Sequence, residues 1–208
     1  MNINMINRSV LQALETKELS AESISPVRVA RRLKVVQAAE AVFASHGFRG
    51  TSMEAIAEAA GMSKVTLYGY FRDKEAVFTA VAAHLADRLK HAAEAALAQD
   101  GAVSDRVADA LIAKQSIVYH LVRRSAHAAD LFHAKDAHAA AFFAAIDRDI
   151  QDRLADVLTQ VGHAPDAASQ AARILFAAAN GIAAEAMSAE HLAEDIRALV
   201  SAMVAQRR

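Results

Sequence analysis

The side chains best suited to binding chemistry lie close together between residues 51 and 74. They are hydroxyl donors, two lysines and one valine, namely Thr51, Ser52, Ser63, Lys64, Val65, Thr66, Tyr68, Tyr70 and Lys74. A lysine can bind phosphate or the O6 and N7 atoms of guanine, and Val or Thr can contact a thymine methyl group. Tyr, Ser and Thr hydroxyls suit phosphate oxygens. This combination predicts contacts to double-stranded DNA. Core packing of Tyr68 and plain solvation of Lys64 and Lys74 stay open as alternatives.

Two short helices are predicted to position these side chains. Thr51 is expected to cap the first helix, with Glu54 three residues later completing a capping box. Its apolar stripe is Met53, Ile56, Ala57 and Ala60. Gly61 is expected to end this helix in a left-handed conformation, and Ser63 to cap a second helix over residues 64–70. Two helices joined by a tight turn form a helix-turn-helix, whose second helix enters the DNA major groove.

The distribution of charge agrees with a DNA-binding segment. The whole chain has a net charge of −1. Residues 28–74 carry eight Lys and Arg against four Asp and Glu, which gives +4, so the remaining residues sum to −5. The positive charge is therefore concentrated where phosphates would be met.

Catalytic and metal-binding motifs are not found in the sequence. It has no Cys and lacks the GxSxG, P-loop, GxGxxG and HExxH patterns, so no enzyme activity and no cofactor are predicted. Nine histidines are many for this length, and several are grouped, namely His84 with His91, and His120, His127, His133 and His138. Because no carboxylate stands at a diagnostic spacing, no metal site is predicted.

The segment from Gly47 to Glu75 resembles the DNA-binding domain of the TetR family of bacterial transcriptional regulators. The matching residues are Gly47-Phe48, Thr51-Ser52, Ile56-Ala57, Ala60-Gly61, Ser63 to Tyr68, Tyr70-Phe71 and Asp73-Lys74-Glu75. The resemblance covers about residues 28–80. It implies that Thr51, Tyr70 and Lys74 hold phosphates, with Ser52 as a near substitute. It also implies a homodimer through the two C-terminal helices, which would place two recognition helices about 34–36 Å apart on a palindromic operator.

Composition predicts an all-α protein. Of 208 residues, 54% are hydrophobic, many of them alanine, and there are only 7 Gly and 2 Pro. We expect an N-terminal extension (1–27), a three-helix helix-turn-helix domain (28–75) and a C-terminal helical ligand-binding and dimerisation domain (76–208). The pattern gives about nine helices, and one more is conceivable in the extension. No membrane span and no secretory signal are visible, so a cytoplasmic location is expected.

The C-terminal half is expected to hold an effector. Aromatic and apolar residues of the central helices could line a pocket for a small apolar or amphipathic molecule, namely Tyr119, His120, Phe132, Phe142, Phe143, Ile146 and Phe176. Ordinary core packing is the alternative for each. The favoured function is a ligand-released repressor, and the alternative is an activator or a ligand-independent regulator of the same fold.

The last two helices are rich in small residues. These residues could pack against a second subunit, and packing within one subunit is the alternative.

Overall fold

The computed structural model describes residues 25–124, 127 and 137–204, apart from the side chains of residues 124 and 137–139. Within this part the chain forms eight helices. They are α1 (Pro26–Gly50), α2 (Met53–Ala59), α3 (Lys64–Tyr68), α4 (Lys74–Leu97), α5 (Val103–Arg124), α6 (Ala137–Gln160), α7 (Pro165–Glu185) and α8 (Ala189–Val204). The all-α prediction is confirmed. The short helix or irregular link expected over residues 127–135 lies outside the described residues except for residue 127, and the extension over residues 1–24 lies outside them as well.

The chain divides into two compact units. Among the described residues, the N-terminal unit comprises 25–87, 124, 127 and 137–143, and the C-terminal unit comprises 88–123 and 144–204. The division falls inside α4 and inside α6, so each of these helices contributes residues to both units. The domain boundaries expected from the sequence, at residues 28, 75 and 76, stay a prediction.

Helix α1 begins at a proline and is interrupted near its end. Pro26 occupies the first turn, where its missing N–H would have no partner in any case. At Gly47 the backbone takes a φ of 68°, a left-handed conformation that glycine adopts readily, and one further turn follows.

The residue that caps α2 differs from the prediction. The Ser52 hydroxyl accepts a hydrogen bond from the backbone N–H of Ala55 at 3.1 Å, so Ser52 is the N-cap. Thr51, predicted for this position, is only 3% exposed and donates its hydroxyl to the carbonyl of Gly47 at 2.7 Å. The cap moved because the Thr51 hydroxyl is used by the Gly47 carbonyl four residues back, while its neighbour is equally able to cap.

Aromatic packing closes the core of the N-terminal unit. The rings of Phe43, Phe48 and Phe78 meet pairwise with centroid distances of 5.1–5.9 Å. Offset or edge-on contacts at this range add to the stabilisation from burying apolar surface. Together with the packing of α1 on α2 and of α2 on α3, this core fixes the helix-turn-helix segment (residues 53–68).

The C-terminal unit has its own apolar core. Its large fully buried side chains are Leu111, Ile150, Leu154, Leu158, Leu175, Leu192 and Ile196. Helices α7 and α8 pack on each other, and the Ser188 hydroxyl caps α8 by accepting from the backbone N–H of His191 at 3.2 Å. Among the described residues, no helix is both long and apolar enough to cross a bilayer.

Candidate nucleic-acid interface

Helix α3 is short and is anchored from one side. Its N-cap is Ser63, as predicted, because the Ser63 hydroxyl accepts from the backbone N–H of Thr66 at 3.1 Å. Leu67 is fully buried and Phe71, just beyond the helix, is 3% exposed. The predicted turn before it is also confirmed, since Gly61 has a φ of 65°. The opposite side of α3 is consequently turned away from the core.

The outward side of α3 carries the predicted base-contacting residues. Val65 is 84% exposed and Tyr68 is 45% exposed, and they lie three residues apart on one face. Lys64 and Thr66 are exposed beside them. Core packing of Tyr68, left open by the sequence, is therefore only partial. An exposed face with apolar, hydroxyl and cationic groups suits the mixed chemistry of base edges and phosphates.

A carboxylate of α2 holds the lysine of α3. Lys64 forms a salt bridge with Glu54, and the two side chains are 50% and 59% exposed. The hydrogen bond to Lys64 lowers the pKa of the Glu54 carboxyl, and the bond to Glu54 raises the pKa of the Lys64 ammonium. In the DNA-free protein, Lys64 is thus paired with an anion that a phosphate would have to replace.

Lys74 connects the start of α4 to the last turn of α1 and to the residue that follows it. Its ammonium donates to the carbonyls of Phe48 and Thr51 at 2.7 and 2.8 Å, and it lies 4.5 Å from the centroid of the Phe48 ring. Two of its three donors are used in this way. The phosphate contacts implied for Lys74 and Thr51 stay predictions, and that of Thr51 would require its hydroxyl to leave Gly47.

Arg28 was not singled out from the sequence, yet it lies beside the end of α3. Its guanidinium donates to the carbonyl of Gly69 at 3.0 Å and stands 5.3 Å from the centroid of the Tyr70 ring. Arg28 is exposed and Tyr70 half-buried. A cation and a tyrosine ring are therefore brought together at the end of α3. The sequence feature that could have indicated this position for Arg28 was the basic cluster at the start of α1.

The comparison with known proteins agrees with this geometry. Residues 35–81 match the family described as bacterial regulatory proteins, tetR family. The HTH-type transcriptional regulator RutR of Escherichia coli K12 is 43% identical over 58 residues, which are 28% of this chain and 27% of RutR. The helix-turn-helix of this chain is a TetR-family DNA-binding domain. The resemblance inferred from the sequence is thereby confirmed. The chain matches only about a quarter of the length of this relative.

The similarity to TetR-family structures extends over most of the fold. A TetR-family transcriptional regulator from Mesorhizobium loti MAFF303099 superposes with a TM-score of 0.68 at 26% identity, covering 85% of this chain and 96% of that one. A TetR-like regulator from Rhodococcus sp. RHA1 gives a TM-score of 0.61 at 25% identity, covering 86% and 98%. The family and these relatives are transcriptional regulators.

The residues predicted to bind an effector are only partly brought together. In the C-terminal unit, Tyr119 and Phe176 are buried and Ile146 packs against the same core. His120 is exposed and meets the Tyr119 ring edge-on at 5.5 Å. Phe142 and Phe143 are half-buried residues of the N-terminal unit, and Phe132 lies outside the described residues. An open groove of about 390 Å³ is lined by residues that were not predicted to bind an effector, including Val103, Val161 and Val204.

A polar cluster beside Phe176 was missed by the sequence analysis. Lys114 is 5% exposed, and its ammonium lies 3.0 Å from the Asn180 amide oxygen, 3.6 Å from Asp147 and 4.3 Å from the Phe176 ring centroid. Gln115 donates to the same Asn180 oxygen. Burial lowers the pKa of Lys114 and raises that of Asp147, and in both cases it outweighs their mutual attraction.

The histidines are also candidate metal ligands. In the part of the chain that the structure describes, no three His, Cys, Asp or Glu side chains come together as a possible metal site. The side chains of His133 and His138 lie outside it. Within it, His120 and His191 contribute to the field that lowers the pKa of Glu190, although backbone and Ser188 hydrogen bonds at the start of α8 have the larger effect.

Proposed function

We propose that this protein is a homodimeric transcriptional repressor that binds a palindromic operator and is released from it by a small-molecule effector. The observation that carries the proposal is the outward face of α3, where Val65 and Tyr68 are exposed beside Lys64 in a TetR-family domain. Such a helix fits the major groove. A regulator of transcription acts where the DNA is, which agrees with the expected cytoplasmic location.

Phosphate contacts would come from the ends of the helix-turn-helix. We assign them to Ser52 and Ser63, to Tyr70 with its neighbour Arg28, and to Lys74 through its remaining donor, with Lys64 and Thr66 closest to the bases. Each lysine or arginine that pairs with a phosphate releases counterions from the DNA. The logarithm of the affinity should therefore fall linearly with the logarithm of the salt concentration, and each such contact should steepen the slope by about 0.9. The excess positive charge of residues 28–74 supports this arrangement.

The exposed side of α7 supports dimerisation. Ile174 is 47% exposed, Met187 beyond the helix end is 78% exposed, and small residues continue the same face. They are Ala177, Gly181 and Ala184, all exposed. Small residues allow a second helix to approach closely, and apolar surface left in water favours burial by a partner. The proposed partner is a second copy of this chain through α7 and α8.

The effector would bind in the C-terminal unit. Tyr119, Ile146 and Phe176 belong to one core there, and Tyr119 donates its hydroxyl to the carbonyl of Met187 at 3.1 Å. A small apolar or amphipathic molecule that separates these side chains would act on the segment between α7 and α8. It releases the operator only if it binds the DNA-free dimer more tightly than the DNA-bound one.

The test is selection of DNA from a random duplex library by the purified full chain, with sequencing of the retained fragments. We expect a two-fold symmetric sequence whose half-sites lie about one helical turn apart. Retention without any enriched sequence, or an asymmetric single site, would count against the proposal. Tyr70→Phe in the same assay should weaken binding if its hydroxyl holds a phosphate.

The alternative is an activator or a ligand-independent regulator with the same domain. The two are separated by a reporter gene placed behind the selected sequence. Production of the protein should lower expression if it is a repressor and raise it if it is an activator. Expression that falls but responds to no added small molecule would indicate ligand-independent repression.

A further inference from the structure

Among the described residues one lysine is buried, Lys114 of α5, which is 5% exposed. An ammonium group out of water is costly unless hydrogen bonds and an opposite charge compensate it. The Asn180 amide oxygen takes up one of its three donors at 3.0 Å. An Asp147 oxygen lies 3.6 Å away, which is farther than an ordinary hydrogen bond. The Lys114 ammonium therefore has the capacity to bind a further acceptor.

We propose that Lys114 anchors a small monocarboxylic acid, whose carboxylate replaces Asn180 as the partner of the ammonium. This inference rests on the proposed function, because it names the chemical class of the effector. Asn180 offers Lys114 a neutral oxygen. A carboxylate at the same distance adds the attraction of opposite charges, which is strong away from water.

The side chains around Lys114 select an acid with one charge and an apolar remainder. Asp147 already places a carboxylate near the ammonium, so it repels an anion of higher charge such as a phosphate dianion. The Phe176 ring centroid lies 4.3 Å from the ammonium, and Phe176 belongs to the same apolar core as Tyr119 and Ile146. An aliphatic chain or a ring attached to the carboxylate can pack against this core.

The position of Asn180 connects this site to the proposed dimer contact. Asn180 is exposed on α7, three residues after Ala177 and four before Ala184, both of which we assign to that contact. A carboxylate that takes Lys114 from Asn180 releases the Asn180 side chain from the core. The acid would thereby change the face of α7 on which a second copy is proposed to pack. The cluster borders solvent at Asp147, whose side chain is 36% exposed.

The experiment compares acids with their neutral amides on the full chain. Hexanoate, octanoate, benzoate and phenylacetate are each titrated by calorimetry beside the corresponding primary amide, which has nearly the same shape and no charge. We expect at least one acid to bind about tenfold or more tightly than its amide, and a tenfold ratio is equivalent to about 1.4 kcal/mol. Ratios near one throughout the series would overturn the inference.

Two variants locate the bound acid. Lys114→Met removes the ammonium and should bring the ratio to about one. Asn180→Asp keeps Lys114 but places a carboxylate of the protein beside it. This variant should weaken the acid by about tenfold and leave the amide nearly unchanged. If urea unfolding shows that Lys114→Met is not folded, Asn180→Asp decides alone.

Lys90→Met is the matched control. Lys90 is a lysine of the same unit with a 30% exposed side chain, and it pairs with Glu94 and Asp149. Its replacement should leave the ratio of the parent chain unchanged. An acid preference that survives in a folded Lys114→Met or in Asn180→Asp would place the acid elsewhere and overturn the inference.

The proposed function is tested separately, by adding the acid to the complex with the selected operator. Release of the operator by the acid but not by its amide supports both proposals. Acid binding at Lys114 without release supports the site and contradicts the proposed release. Failure to select any operator removes the proposed function, while the calorimetry still decides whether Lys114 holds an acid.

Discussion

The buried ammonium of Lys114 on α5 is held by Asn180, a residue on the exposed side of α7, with 3.0 Å between the nitrogen and the amide oxygen. Gln115 shares this oxygen. A charge inside the C-terminal unit is thus tied to the face that we assign to the dimer contact. Any shift of α7 would alter the environment of that charge.

Replacing Asn180 should lower the stability of the C-terminal unit. Asn180→Ala removes the acceptor from Lys114 and Gln115, and we expect the free energy of unfolding to fall by about 1–3 kcal/mol. Urea unfolding measures this. Asn180→Asp keeps an acceptor oxygen and adds a negative charge beside Lys114, so it should lose less. An equal loss in the two variants would contradict the assigned hydrogen bonds.

The lowered pKa of Lys114 predicts a pH dependence of stability. Between that lowered pKa and the ordinary value of 10.5, the unfolded chain binds more protons at this site than the folded chain. Stability therefore rises as pH increases through this interval, because the penalty of burying the ammonium disappears. Lys114→Met lacks this contribution. Subtracting its unfolding free energy from that of the parent chain should give a difference that grows toward pH 10.5. A difference independent of pH would contradict the burial of a charged Lys114.

Removing the carboxylate that pairs with Lys64 should strengthen DNA binding. Glu54→Gln frees the ammonium and takes a negative charge away from the interface. We expect a lower Kd at low salt and a salt slope steeper by as much as about 0.9, the value for one additional phosphate contact. Glu58→Gln is the control, because Glu58 is an exposed carboxylate of the same helix. Equal gains in the two variants would reflect net charge alone.

Lys74 should matter for the stability of the N-terminal unit, whether or not DNA is present. Lys74→Met leaves the Phe48 and Thr51 carbonyls without their donor, and we expect a loss of about 1–3 kcal/mol in unfolding free energy. The control is Arg72→Met, since the side chain of Arg72 is 85% exposed and forms a salt bridge of 2.9 Å with the adjacent Asp73. If the two variants unfold at the same urea concentration, Lys74 has no such structural role.

Charges on the exposed side of α7 should separate the proposed dimer. Ile174→Arg would place a cation against its counterpart in the partner, so sedimentation should show monomers at concentrations where the parent chain is dimeric. Val27→Arg alters a valine of similar exposure, at 59%, on α1 in the N-terminal unit and should leave the dimer intact. A dimer that withstands Ile174→Arg would place the contact elsewhere.

Local signals were sufficient for much of the helix-turn-helix. Ser63 and Gly61 lie where predicted, and Asp73 caps α4 by accepting from the backbone N–H of Ala76 at 2.7 Å. Each depends on backbone geometry within a few residues. The choice between Thr51 and Ser52 as a cap did not follow, because the Thr51 hydroxyl bonds to the Gly47 carbonyl four residues back, where the backbone of α1 is interrupted. Two adjacent residues could each cap, and the sequence pattern did not distinguish them.

The cluster around Lys114 shows the same limit at longer range. Lys114 follows Leu111 by three residues and precedes Val118 by four, so it lies on the apolar stripe of α5. The periodicity could have indicated a buried lysine. Its acceptor, Asn180, is 66 residues further along. Tertiary packing alone decides that partner.

The brevity of α3 links DNA binding to folding. Five residues are far fewer than the dozen or so that an isolated helix needs in water, so α3 persists only while its surroundings hold it. A partly unfolded N-terminal unit would accordingly have no surface to offer to an operator. Operator DNA is then a ligand of the native state alone, and its addition should raise the melting temperature in proportion to the logarithm of its concentration above Kd.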